Sequence, residues 1–259
     1  MRKIHFLLLL LLLLSVLYVV TEYASLFAYS EAVAALTIPV ISVFYLITGE
    51  NKMPYFTSFL VLYSLAHLLI FVDISSVYEH FHYYLGNILY ISAYMFLIFE
   101  VLKDIPFKGV VPRFNLTIII LLLLNSYVLF TLLNWETSRD YFFRVTSDTL
   151  VTVKEEASVP LEESIVSIIL EFSYNLVILV LLNVSFINYL YRENKKASLL
   201  FIGTLCVVFS ELIQYAIYYP SDVVILNIVC YLLMLVGFLC FYLFAIQSIK
   251  MEDQTFKEV

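Results

Sequence analysis

A small set of polar side chains stands inside otherwise apolar runs, and any chemistry in this chain must start from them. Glu211 is the sharpest case, flanked by Phe209, Leu212 and Ile213. An ionised group at the centre of a lipid-embedded helix costs roughly 2.5–3.5 kcal/mol on insertion scales, so such groups turn to a protein interior and tend to mark function. Hydrocarbon surroundings favour the neutral carboxyl. A carboxyl that keeps its proton at neutral pH can act as a general acid. His67 and Asp73 stand in a second apolar run and Glu171 in a third. Hydroxyls and amides accompany them: Ser64, Asn87, Ser210, Gln214, Asn227 and Tyr231. Their spacing is helical. Ser64 and His67 are i,i+3, Glu171 and Asn175 are i,i+4, and Asn227 and Tyr231 are i,i+4. Ser210, Glu211 and Gln214 fall within one turn. Each set forms one polar stripe on a helix face. The expectation is a shared interior cavity with Glu211, His67 and Asp73 as its ionisable members. Ser64, Asn87, Glu171, Ser210, Gln214, Asn227 and Tyr231 would line it against a substrate.

Plainer roles compete for several of these. Asp73 lies close enough to a helix end to be an interfacial residue. Glu100 has Lys103 one turn on and is expected to pair with it. A lone intramembrane histidine is more often a hydrogen-bonded helix contact than a metal ligand. Asn87, Asn175 and Asn227 could serve as interhelical glue, worth around 1 kcal/mol each. His80 and His82 share a loop and His5 is near the start, so no metal site is expected. The three cysteines, Cys206, Cys230 and Cys240, are odd in number, lie in apolar runs and show no C-x-x-C spacing. They read as small buried hydrophobes rather than disulfide or zinc partners. Five glycines and six prolines leave no glycine-rich phosphate loop, and no cofactor is expected.

The elements that must position these groups are transmembrane helices. The 259 residues are 63% hydrophobic and 14% charged, with a mean hydropathy of +0.98. A soluble domain is about a quarter charged. That balance excludes a soluble enzyme, and the net charge of −7 argues against nucleic acid as a partner. Apolar runs at 4–20, 32–48, 55–73, 83–102, 114–133, 165–190, 197–218 and 222–248 are long enough to cross a bilayer. Strand-type alternation is absent, so the fold class is all-α membrane, a polytopic bundle of eight helices forming one integral membrane domain. The run after Met1-Arg2-Lys3 reads as a retained first helix rather than a cleaved signal. Pro39 should kink the second span.

With the first residues inside, all but three of the 14 lysines and arginines face the cytoplasm. The three exceptions, Arg139, Arg144 and Lys154, fall in one long external loop at 134–164. Both termini are therefore placed in the cytoplasm, and the expected location is a bacterial inner membrane. Faint echoes link the halves: Glu50-Asn51-Lys52 with Glu193-Asn194-Lys195, and Asn87-Ile88 with Asn227-Ile228. They allow a 4+4 parallel repeat with a site between the halves.

The stretch from Gly203 to Glu211, a small-residue-led span ending in Ser210-Glu211, resembles a span of the YhhN-like family of eight-span membrane proteins, which includes lysoplasmalogenases. Ile38-Pro39 resembles the start of its second span, with Ile38 where a lysine would stand. Ser64-Leu65-Ala66-His67 sits where that family carries a Ser…Gly-Asp motif, and Gly86 and Tyr231 also fit by position. The family's histidine in span four has no counterpart; Ser92 and Tyr94 stand nearby. The resemblance implies hydrolysis of the vinyl ether of a lysoplasmalogen. Glu211 would be the acid that protonates the vinyl carbon, and His67 or Asp73 would orient water. The partners would be membrane lipids or lysolipids, and the protein a monomer or weak homodimer. Two other classes remain open: a small-molecule carrier using the same polar band, and a non-enzymatic sensory or scaffold module reading its external loop.

Overall fold

A computed structural model describes residues 2–48, 52–72, 81–103, 105–131, 161–217 and 224–257. Among the described residues every regular element is a helix. They are α1 (Arg2–Tyr23), α2 (Phe27–Thr48), α3 (Pro54–Leu68) with a 3₁₀ turn over Leu69–Phe71, α4 (Phe81–Leu102) and α5 (Phe107–Arg113). After them come α6 (Asn115–Thr131), α7 (Leu161–Arg192), α8 (Lys195–Ile217) and α9 (Val224–Lys257). Seven of these helices are long and apolar enough to cross a membrane, which makes this an all-helical, multi-pass membrane protein. The eighth expected span, 114–133, corresponds to α6, which is apolar but shorter than the seven others among the described residues. Asp73 and most of the 134–164 loop lie outside the described residues.

Two compact units are present, one of Met1–Ile105 with Val180–Val259, the other of Pro106–Leu179, and their boundary falls within α7. In the first unit, local sequence explains the hairpins. Ser25 takes a left-handed backbone conformation, φ 57°, and closes the short link between α1 and α2. Glu193, φ 47°, does the same between α7 and α8, where the Asn194 side chain accepts the Ala197 N–H at 2.8 Å and caps α8. Pro54 opens α3, where its missing N–H costs nothing. Pro39 lies inside α2, which continues through it as one helix. Nearby hydroxyls bond back along α2: Thr37 donates to the Val33 carbonyl and Ser42 to that of Ile38.

Helix directions follow from side-chain register. Thr37 meets Tyr231 and Thr48 meets Tyr242, both 194 positions apart, so α2 and α9 run parallel. Tyr18 stacks on Tyr231 while Glu22 meets Asn227 further along, so α1 runs antiparallel to α9. α8 packs antiparallel on α9 through glycine. A Cβ added to Gly237 would stand 2.9 Å from Val207 and 3.0 Å from the Gly203 carbonyl oxygen; one added to Gly203 would stand 2.8 Å from the Phe241 ring. Small residues let membrane helices approach this closely. α2 packs on α3 and α3 on α4.

An aromatic core fills this unit toward the end where α2 and α4 finish and α3 begins. Tyr45, Phe56, Phe59, Phe238 and Phe241 are fully buried there. Phe59 stacks on Phe238 at 5.6 Å and meets Phe241 edge-on at 5.7 Å. Such pairs are worth about 0.5–1.5 kcal/mol beyond their buried area. Glu100 is buried at the same end and pairs with Lys103, as its spacing predicts. In the second unit, α6 exposes Leu116, Leu123, Tyr127 and Phe130, and Arg113 lies over the Phe114 ring at 5.3 Å.

Candidate functional site: a polar-mouthed cavity

Where the aromatic core stops, α1, α2, α3, α8 and α9 diverge around a cavity of about 540 Å³. It lies at the end where α1, α3 and α8 finish and α2 and α9 begin. Because α2 and α9 run parallel, the composition of their facing sides can be followed by depth. Nearest the mouth stand Glu31 on α2 and Asn227 on α9. One to two turns deeper come Thr37 and Tyr231, hydrogen-bonded at 2.9 Å. Below them are Ile38, Met234 and Leu235. The lining therefore grades from charged through polar to apolar.

One wall is an interlocked group from α1 and α9. The Asn227 side-chain amide donates to the Glu22 carboxylate at 2.8 Å, and the Tyr18 hydroxyl donates to the Asn227 carbonyl at 3.5 Å. Tyr18 and Tyr231 stack with ring centroids 4.0 Å apart and planes 12° from parallel. Glu22 is only 2% exposed. A carboxylate this buried is tolerable because a donor meets it. The facing wall is α8, tied to α9 by a reciprocal pair: Ser210 donates to the Cys230 carbonyl at 3.0 Å, and the Cys230 thiol donates to the Ser210 carbonyl at 2.9 Å. His67 closes the site from α3. Its ring stacks on Tyr63 at 5.1 Å and meets Tyr90 of α4 edge-on at 5.8 Å. The Tyr94 hydroxyl donates to the Tyr63 hydroxyl at 3.2 Å, and that of Tyr63 to the Met234 sulfur at 3.6 Å.

The cavity brings together five of the residues that the sequence singles out: His67, Ser210, Gln214, Asn227 and Tyr231. Glu211 is not in its lining; it is half-buried on α8, within electrostatic reach of Tyr63, Tyr90 and Cys230. Ser64 is also outside the lining and joins α3 to α2 through a 2.7 Å hydrogen bond to Ser42. Asn87 donates to the Tyr83 carbonyl one turn back on its own helix. Glu171 belongs to the second unit, where it is half-buried beside the buried Asn175. α3 and α8 are not a closely packed helix pair; both face the cavity.

Sequence reasoning missed Tyr18, Glu22, Glu31 and Thr37. By composition the first apolar run ends at Val20, which places Glu22 in a loop. Its signal was available, since Tyr18 and Glu22 share a face at i,i+4. Among the described residues no group of three or more histidine, cysteine or carboxylate side chains is placed to hold a metal ion. No protein-family model, curated protein or solved structure matches the chain.

Proposed function

We propose that the chain is a membrane protein whose cavity takes in one single-chain amphiphile, head at the mouth and hydrocarbon toward Ile38, Met234 and Leu235. The observation that carries this is the graded lining along α2 and α9, polar at Glu31 and Asn227 and apolar three turns or fewer deeper. A volume of about 540 Å³ falls within the roughly 300–1,000 Å³ common for small-molecule pockets. Membership of the YhhN-like family belongs to the same proposal, and it supplies a reaction: vinyl-ether hydrolysis of a lysoplasmalogen. Two groups able to move protons, Glu31 and His67, both border the lumen. In that reaction an acid delivers a proton to the vinyl carbon, water adds to the resulting cation, and the hemiacetal collapses to aldehyde and alcohol. Glu31 has the better access to bound substrate, and Glu211 would act through its tyrosine neighbours.

Topology enters the proposal by parity. α4 finishes and α8 begins at the same end of the first unit. The intervening chain must then cross the membrane an even number of times. α7 supplies one crossing, and the apolar α6 supplies the other. The count becomes eight, both termini face the cytoplasm, and the cavity opens to the outer side of a bacterial inner membrane.

The test is binding and turnover of a lysolipid panel by the purified full chain in nanodiscs. Saturable binding is expected, and Ile38→Trp, which fills the cavity floor, should weaken it at least tenfold while the melting temperature holds. Aldehyde release lost in Glu31→Gln or Glu211→Gln would assign the acid. Binding unaffected by Ile38→Trp would end the proposal.

A further inference from the structure

The charges around the cavity say which head group it suits. Glu31 borders the mouth, and the buried Glu22 lies directly behind Asn227 in the wall. No lysine or arginine stands in the lining among the described residues, and His67 is the single side chain there that can become cationic. The basic residues of the first unit gather at the opposite end: Lys52, Lys103, Arg192, Lys195 and Lys196 lie at or beside the ends of α3, α4, α7 and α8 remote from the cavity. The stacked rings of Tyr18 and Tyr231 border the same space. Aromatic π-systems attract cations, most strongly where water is excluded. A phosphate or sulfate brought here would find the Glu31 carboxylate and no fixed positive partner among the described residues, an unfavourable pairing of like charges.

Resting on the amphiphile reading above, we propose that the cavity selects single-chain amphiphiles whose head group carries an ammonium, held by Glu31 and the Tyr18–Tyr231 pair. The alkyl chain runs down to Ile38 and Leu235.

Equilibrium binding to the full chain in zwitterionic nanodiscs tests this with three twelve-carbon probes: dodecyltrimethylammonium, dodecyl phosphate and uncharged dodecanol. The ammonium probe should bind at least tenfold more tightly than either of the others, a ratio within reach of one carboxylate and an aromatic pair. Glu31 is exposed, so its substitution spares the fold. Glu31→Gln should lower ammonium affinity about tenfold, and Glu31→Lys should turn the preference toward phosphate. Tyr231→Phe, which keeps the ring and loses the Thr37 hydrogen bond, should retain the ammonium preference. Equal binding of all three probes, each blocked by Ile38→Trp, would overturn cation selectivity and leave the amphiphile site standing. Preference for dodecyl phosphate in the unaltered chain would also overturn it. Failure of all three to bind would remove both proposals together.

Discussion

At the scale of single residues, the cavity depends on a carboxylate that has no water to solvate it. Glu22 is 2% exposed and takes a hydrogen bond from the Asn227 amide. Removing the donor leaves the acceptor's desolvation uncompensated, which costs about 1–3 kcal/mol. Asn227→Leu should therefore lower the melting temperature in detergent by several degrees. Glu22→Leu combined with Asn227→Leu should recover most of the loss, because an apolar pair of similar shape leaves nothing unmet. A double variant no more stable than Asn227→Leu would show that the bond contributes little. The same scale shows what composition could and could not reveal. His67, Gln214 and Asn227 stood out because each interrupts an apolar run. Glu22 did not, because it stands just beyond the leucine run, where an acidic residue reads as the start of a loop. Its buried face, Leu7, Leu11, Tyr18 and Glu22, is marked only once neighbours are in place. Ser64 and Ser210 were legible as intramembrane hydroxyls, yet both are engaged in fastening helices together, by bonds to Ser42 and Cys230.

At the scale of helices, α8 is fixed to α9 by contact of backbone on backbone. A Cβ on Gly237 would meet Val207 at 2.9 Å and the Gly203 oxygen at 3.0 Å, and an oxygen of the main chain cannot rotate away. Gly237→Leu should separate the pair, lower the melting temperature and enlarge the cavity mouth at Gln214. Gly203→Ala should be milder because it adds one carbon where leucine adds four, although that carbon meets the Phe241 ring at 2.8 Å and the Gly237 oxygen at 3.0 Å. Over-packing of this kind costs typically 1–3 kcal/mol. A Gly237→Leu protein as stable as the parent would mean that the interface relaxes freely. Periodicity located these helices well, because runs near 20 apolar residues leave few alternatives. It did not locate their pairings. The parallel alignment of α2 with α9 rests on two hydroxyl pairs, Thr37–Tyr231 and Thr48–Tyr242, and neither partner is unusual in its own run.

For the whole molecule, the distribution of charge is the strongest organising feature. Basic side chains cluster at one end of the first unit, and the acid-rimmed cavity opens at the other. Single cysteines placed at Lys103 and Lys195 should react with a membrane-permeant maleimide and resist an impermeant one in intact cells. A cysteine at Ala28, near the cavity end of α2, should react with both. Opposite labelling of these positions would invert the topology. Equal labelling of Lys103 and Ala28 would abolish the crossing between them. The charge asymmetry was readable from the sequence, because lysine and arginine report on sidedness without any knowledge of packing. The number of crossings was less so, since α6 sits at the margin of length at which a helix can span.

The wall of the cavity joins residues 205 positions apart, Glu22 and Asn227. A chain inserted into the bilayer in order of synthesis holds the Glu22 carboxyl there long before the amide that receives it has left the ribosome. Until then the carboxyl must borrow hydration from the membrane surface or shelter in the insertion machinery. A product terminated before α9 would therefore carry the Glu22 carboxyl without its partner and the receptacle without that wall, an unmatched acid that quality-control proteases could read as a mark of incompleteness.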